Sequence, residues 1–146
     1  MSSDDRIEAL TDRMEALARA IARREAAHAD DLFQARQKAE ELHAQVESAV
    51  GRFNQVVSES APHMSIELMP PRVDDKHLHS IEFDLRRGRH RAIVTIKSKG
   101  DVTLVGPFRA GKNEGPCRSF LFGEEAELDD ALGDFLERFI EDAAAP

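Results

Sequence analysis

The chain has 146 residues, of which 41% are hydrophobic and 33% charged, and its net charge is −8 at neutral pH. These values are typical of a folded, soluble protein and argue against disorder and membrane insertion. No apolar run approaches the roughly 18 residues that span a bilayer. The single cysteine excludes an intrachain disulfide, and the first residues lack the basic and apolar regions of a signal peptide. We therefore expect a cytoplasmic protein, and the excess of arginine over lysine, 15 to 5, suggests a GC-rich bacterial genome.

Residues 3 to about 58 predict one long helix. The segment contains no Pro and a single Gly, Gly51, and it is rich in Ala, Glu, Arg and Leu, which favour helix. Apolar or small residues recur in alternating steps of three and four, with one extra step of four after Ile21. A stripe this narrow is typical of helices that pair with other helices. The predicted oligomer seam comprises Ile7, Leu10, Met14, Leu17, Ile21, His28, Leu32, Leu42, Val46, Phe53 and Val56.

A helix of roughly 50 residues is about 75 Å long, which exceeds the width of the small domain that follows it. We therefore expect residues 1–60 to form a coiled-coil helix that assembles the chain into a homo-oligomer, either a dimer or a tetramer. The stripe leaves open whether the helices run parallel or antiparallel. His28 lies on the stripe, where we interpret it as a polar residue that sets the register; a pH-sensitive role is the alternative.

After Pro62 the apolar period changes to two, which indicates β-strands. Short turn-like spacers, such as the one at Gly88, favour an antiparallel meander of four or five strands. The last apolar residues have helical spacing and follow several acids, which predicts an amphipathic C-terminal helix. Residues 61–146 are thus predicted to form a small α+β domain with this helix packed on one face of the sheet. The alternating segments are Met64–Leu68, Ile81–Leu85, Ala92–Ile96, Val102–Leu104 and Phe120–Phe122.

The segment from Gly106 to Asn113 matches the phosphate-binding pattern G-x-x-x-x-G-K. Nucleotide-binding loops of this kind place Ser or Thr after the lysine and continue into a helix, whose N-terminus holds the phosphate. Here Asn113 takes the place of the hydroxyl residue, and Pro116 opposes a helix. We interpret the segment as a glycine-rich hairpin loop.

Two further groups of residues have weak chemical signals. His77 and His79, with Asp74 and Asp75, lack the ligand spacing of zinc sites, so we interpret them as solvated loop residues. Cys117 would need a lowered pKa and a positioned base to act as a nucleophile, and no such pairing is visible in the sequence. The sequence therefore predicts no catalytic residue, no metal site and no cofactor.

Basic residues crowd the predicted hairpin at Gly88 and the long loop that follows Gly106. Basic hairpins can bind phosphate backbones, but this chain is acidic overall and no aromatic residue flanks the arginines. Residues 123–146 hold nine acids and one base, so we interpret the basic residues as solvated or paired within the molecule; an acidic protein partner and nucleic acid or anionic lipid are the alternatives. The possible contact patch consists of Arg86, Arg87, Arg89, Arg91, Arg109 and Lys112.

These features make a non-enzymatic oligomeric interaction or scaffold protein the leading hypothesis, with a coiled coil that carries a small partner-binding module. Its partners would be further copies of itself and another protein, whereas nucleic acid is disfavoured and a membrane is not expected. The alternative is a nucleic-acid-binding or anion-binding module that uses the hairpin from Arg86 to Arg91. A third hypothesis is an enzyme whose active site forms between subunits.

Overall fold

A computed structural model describes residues 2–74, 79–111 and 115–145 of the chain. The protein has a long N-terminal helix, an antiparallel sheet of six strands and a C-terminal helix, which confirms the predicted α+β class. In chain order its elements are α1 (Ser3–Val57), a short 3-10 helix (Pro62–Met64), β1 (Glu67–Leu68), β2 (Arg72–Val73), β3 (Ser80–Arg87), β4 (His90–Lys97), β5 (Asp101–Arg109), β6 (Cys117–Leu121) and α2 (Glu125–Ala144).

Strands β3 to β6 form the predicted antiparallel meander, with neighbours in chain order paired side by side. The tight turn between β3 and β4 contains Gly88, whose φ of +57° lies in the left-handed region that glycine adopts readily. The two short strands β1 and β2 both pair with the outer edge of β3. The sequence did not predict β2. Strand β1 is shorter than the expected segment Met64–Leu68, because a 3-10 helix that begins at Pro62 includes Met64.

Both helices lie on the same face of the sheet. Phe83, Val94 and Leu104 are cross-strand partners, so their side chains share this face, and all three belong to the buried core. Helix α1 contacts β3 and β4, whereas α2 contacts β4, β5 and β6. The fold is therefore a two-layer arrangement in which neither helix covers the opposite face, which we call the open face of the sheet.

Helix α1 is a single helix of 55 residues with defined ends. At its start Ser2 and Asp5 form a capping box, in which each side chain accepts a hydrogen bond from the backbone N–H of the other. Near its end the side-chain amide of Asn54 exchanges two hydrogen bonds with the backbone of Ile66, at 2.8 and 2.9 Å. None of the helices in the described segments has the length and apolarity needed to cross a bilayer.

The C-terminal half of the predicted seam packs against the sheet of the same chain. Leu42 and Val46 are fully buried in the core, and Leu32 and Phe53 pack partly buried against it. From the sequence we expected the whole stripe to pack against another helix, and we did not predict that half of it contacts the sheet. Strands of eight or nine residues are about 26–30 Å long, which is enough to cover nearly 20 residues of helix. The part of α1 from Ala35 onward therefore shares one core with the sheet.

Candidate interaction surfaces

The first part of α1 extends beyond the rest of the molecule. Every residue from 2 to 31 is exposed except the half-buried Ala20. In the part of the chain that the structure describes, Glu25 and His28 make the first contact with the sheet region, where they approach His79 just before β3. We call residues 3–24 the overhang; at 1.5 Å per residue they form a rod about 33 Å long.

A continuous apolar stripe follows one side of the overhang. Its members have the three- and four-residue spacing that places side chains on a common helix face. These large side chains are between 43% and 63% exposed, so burying the rest of each would contribute about 0.8–1.5 kcal/mol. Monomeric proteins rarely leave such patches open, so the stripe is a candidate interaction surface. Its residues are Ile7, Leu10, Met14, Leu17 and Ile21.

The base of the overhang meets the sheet at a small polar cluster. The rings of His28 and His79 lie 5.2 Å apart, and Nε2 of His79 is 3.8 Å from a carboxylate oxygen of Glu25. The Nδ1 atom of His79 is buried, and none of the described residues forms a hydrogen bond with it. His28 is therefore at the end of the exposed stripe, and it contacts this chain's own sheet region.

The sequence predicts solvated loop residues around His77, and the structure describes only some of them. Asp74 donates a backbone hydrogen bond to Ser80, as part of the antiparallel pairing of β2 with β3. His79 faces α1, whereas Asp75 and His77 lie outside the described residues. Across the described ranges, no group of three or more His, Cys, Asp and Glu side chains is placed to hold a metal ion.

The six residues of the possible basic patch do not form one surface. Strand alternation puts Arg86 and Arg91, which are direct cross-strand partners, on the open face. Nε of Arg86 is 2.6 Å from Oδ2 of Asp84, and Nη1 of Arg91 donates to the backbone carbonyl oxygens of Gly88 and His90. These two guanidinium groups are thus occupied by contacts within the chain.

Arg87 points to the helix-covered face instead. Its guanidinium donates to the carbonyl oxygen of Ala143 in the last turn of α2, and it lies 3.0 Å from the sulfur of Met64. The last turn of α2 has no basic residue of its own. Arg87 therefore supplies the positive charge that the negative end of the helix dipole favours.

Arg89 and Arg109 are the exposed members of the patch. The backbone N–H of Ala110 donates to the carbonyl of Arg89, so the two arginines lie at the same end of the sheet. Arg109 lines a shallow cleft of about 340 Å³, together with the side chains of His90 and Asp142. Lys112 lies outside the described residues.

The open face carries a charged cluster that sequence analysis missed. Arg72 donates to Asp84 at 2.8 Å and to Glu82 at 2.9 Å, and Arg86 donates to the other carboxylate oxygen of Asp84. Only 5% of the Asp84 side chain is exposed. An acid alternating with apolar residues is usually solvated, so the strand pattern contains no signal of this burial.

The two carboxylates of this cluster have opposite pKa shifts. Burial alone would raise the pKa of Asp84, but the hydrogen bonds and positive charges of Arg72 and Arg86 outweigh it and lower that pKa. Burial raises the pKa of Glu82, and Arg72 offsets this only in part. The pKa of Arg72 is raised, chiefly by its hydrogen bond with Asp84. The arrangement anchors β2 to β3 and favours the ionised form of Asp84.

A second shallow cleft, of about 240 Å³, lies between α2 and the strands β5 and β6. Its floor includes Leu104 and Phe135, and Arg118 and Arg138 line it as well. Cys117 is exposed at this cleft, with its thiol 3.8 Å from the carbonyl of Gly115, and no histidine is among the lining residues. The cleft therefore lacks the cysteine–histidine pair that a thiol nucleophile needs.

The glycine-rich segment connects two antiparallel strands. Gly106 and Arg109 belong to β5, and Gly115 leads into β6, which pairs antiparallel with β5. A strand and not a helix therefore follows the loop, as the interpretation of this segment predicted. Without a helix N-terminus, the segment cannot hold a nucleotide phosphate in the manner of a phosphate-binding loop.

The overhang is the most unusual of these surfaces, because its apolar stripe has no counterpart within the described parts of the chain. Comparisons of the sequence with protein-family models, curated proteins and solved structures gave no significant match. Function is therefore inferred from the chain's own surfaces, and the apolar stripe from Ile7 to Ile21 provides the main observation.

Proposed function

We propose that this protein is a non-enzymatic interaction protein that assembles through its overhang and thereby joins several copies of its α+β module. The observation that carries the proposal is the row of five exposed apolar side chains with heptad spacing, from Ile7 to Ile21. Such a row is the seam by which helices associate. The module packs on the far end of the same helix, so association of overhangs would link modules directly.

The energetics of the overhang support association. A helix without tertiary contacts is marginal in water, because most helical stability comes from packing of an apolar face. Covering the five-residue stripe on two chains would bury the exposed half of ten large side chains, at about 0.8–1.5 kcal/mol each. The total is comparable with the roughly 4–15 kcal/mol that association costs in lost freedom. A reversible oligomer is the expected state.

Light scattering over a concentration series tests the proposal. The wild-type chain should be oligomeric, and the Leu10→Asp/Leu17→Asp variant should be monomeric because it places charges in the apolar seam. The matched control is Ala9→Asp/Ala16→Asp, which adds the same two charges to the side of the helix away from the stripe. Alanine is the stronger helix former, so the control loses more helix propensity than the test variant. A wild-type chain that is monomeric at every concentration would contradict the proposal.

The alternative of anion binding has narrower support. Among the described residues of the basic patch, Arg89 and Arg109 are the exposed ones at this end of the sheet, and the half-buried His90 lies beside them. If these groups bind nucleic acid, affinity for duplex DNA should fall steeply with salt, and Arg89→Gln/Arg109→Gln should abolish it. Loss of binding in that variant, with assembly unchanged, would assign the two activities to different surfaces.

A further inference from the structure

We infer that the partner of the overhang is the overhang of a second copy of this chain, in antiparallel orientation. The inference rests on the proposed function and specifies it: it names the partner, the direction of the helices and the residues that meet. Two independent observations carry it, the side of α1 on which the sheet lies and the distribution of charge along the overhang.

The exposed stripe and the sheet lie on the same side of α1. Val46 follows Leu10 by 36 positions, and Val50 follows Met14 by the same interval, which equals about ten turns of 3.6 residues. Residues ten whole turns apart point in the same direction. Because Val46 and Val50 face the sheet, Leu10 and Met14 face the space immediately beyond the end of the sheet.

This geometry excludes a parallel pair of helices. Two paired helices lie about 8–10 Å apart, and a partner helix must lie on the apolar side of α1. In a parallel pair, the partner helix would continue past His28 along the same side of α1. The sheet of the first copy already occupies that space, with Ala35 and Leu42 in direct contact with its core.

An antiparallel pair avoids the collision. The second copy's helix then ends where the first copy's sheet begins, because α1 starts at Ser3. The sheet edge at that point is defined by His79, which contacts His28, and by Ser98, whose N–H donates to the carbonyl of His79. The modules would lie at opposite ends of the paired rod.

The overhang has the charge pattern that this orientation requires. Residues 3–12 contain four acids and one base, for a net charge of −3, whereas residues 13–24 contain four bases and one acid, for a net charge of +3. Antiparallel pairing places the acidic half of each copy beside the basic half of the other. Parallel pairing would place like halves together, which is unfavourable.

The position of the sheet and the charge pattern together favour a register in which the whole of each overhang is paired. Aligning Ser3 of one copy with His28 of the other places Leu10 opposite Ile21 and Met14 opposite Leu17. Ile7 then lies opposite Arg24, whose aliphatic stem can cover it. The acids near the N-terminus of the second copy approach Arg23 and Arg24, and also the β4–β5 turn, which carries Lys97 and Lys99.

Disulfide trapping tests the orientation. In a Cys117→Ser background, Leu10→Cys and Ile21→Cys are prepared as separate proteins and oxidised with oxidised glutathione, alone and as an equimolar mixture. The antiparallel register predicts a covalent dimer in the mixture only. Position 10 of one chain then lies beside position 21 of the other, whereas the two positions 10 are about 16 Å apart along the rod. Covalent dimers of Leu10→Cys alone would show a parallel pair and overturn the inference.

Light scattering on the same reduced samples separates the two proposals. Monomeric samples, together with a monomeric wild type, would contradict the proposed function itself. Oligomeric samples that form no covalent dimer in the mixture would leave that function standing and overturn the antiparallel pairing of overhangs. A cross-linked mixture with uncross-linked single variants supports both.

Discussion

Leu10 and Val46 point to the same side of α1, ten helical turns apart, yet Leu10 is 58% exposed and Val46 is fully buried. The same apolar row therefore packs against the sheet in its C-terminal half and faces solvent in its N-terminal half. The two halves therefore differ in role: the C-terminal half packs the helix on the sheet, and we propose that the N-terminal half binds another chain. Mutations in the two halves should have different consequences.

Truncation within the row should separate folding from assembly. Leu42→Ala removes a side chain that is fully buried against the sheet, so the free energy of unfolding should fall by about 2–5 kcal/mol at any protein concentration. Leu10→Ala should match the wild type at low concentration and become less stable than it only at high concentration, where the wild type gains from association. Urea denaturation at two protein concentrations measures both effects. Equal losses for the two variants at low concentration would contradict this division.

The carboxylate of Asp84 should contribute stability that depends on pH. Its pKa is lowered in the folded state, so this contribution is complete above the ordinary aspartate value of about 3.9 and is lost as the pH falls through the folded pKa. Asp84→Asn should cost about 1–2 kcal/mol at neutral pH, a modest value because Arg72 and Arg86 are each more than a third exposed. Urea denaturation from pH 7 to pH 3 should show the two proteins converging below about pH 4.

Glu82 provides a control of opposite sign for this experiment. Its pKa is raised, chiefly by burial, so its contribution is most favourable below the ordinary glutamate value of about 4.3 and is lost as the pH rises through the folded pKa. Glu82→Gln should therefore become relatively more stable, compared with the wild type, as the pH rises. If the free energy of unfolding of both variants changes with pH in the same way, the loss of one negative charge explains the result. The ion pairs of Asp84 with Arg72 and Arg86 would then not be the source of the pH dependence.

Arg87 should stabilise the end of α2 from a distance in sequence. Its guanidinium bonds the Ala143 carbonyl, and Arg87→Met keeps the aliphatic length while removing this bond and the favourable charge. We expect a loss of about 0.5–2 kcal/mol and faster amide hydrogen exchange in the last turns of α2. Arg89→Met, at the neighbouring exposed position, is the matched control and should leave both quantities unchanged.

Local sequence pattern predicted the elements of this fold better than their contacts. The helical period of α1 and α2 and the two-residue period of β3 to β6 follow from side-chain spacing, which is a local property. The packing of α1 on the sheet is not local. Leu10 and Val46 are equivalent in spacing and character, so only the position of the sheet decides which of them is buried.

The separation of the basic residues onto two faces of the sheet follows from the sequence. Arg86 and Arg87 are consecutive on β3, so strand alternation sends them to opposite faces, and one patch containing both was improbable from the sequence alone. The burial of Asp84 had no such signal. It depends on Arg72, twelve positions earlier, reaching across from β2.

Charge reversal in the overhang should distinguish the orientation of its helices by affinity alone. Asp4→Lys and Arg24→Glu, which flank the stripe and leave the Ser2–Asp5 capping box intact, should each weaken dimerisation, because each replaces attraction by repulsion in an antiparallel pair. Combining the two changes in one chain should restore the wild-type dissociation constant, since opposite charges again meet. In a parallel pair each segment faces its own copy, so neither reversal would change the sign of any contact. Sedimentation equilibrium at low ionic strength, where screening is weakest, measures the four constants. Unchanged dissociation constants for both partial reversals would exclude the antiparallel arrangement even if the protein is a dimer.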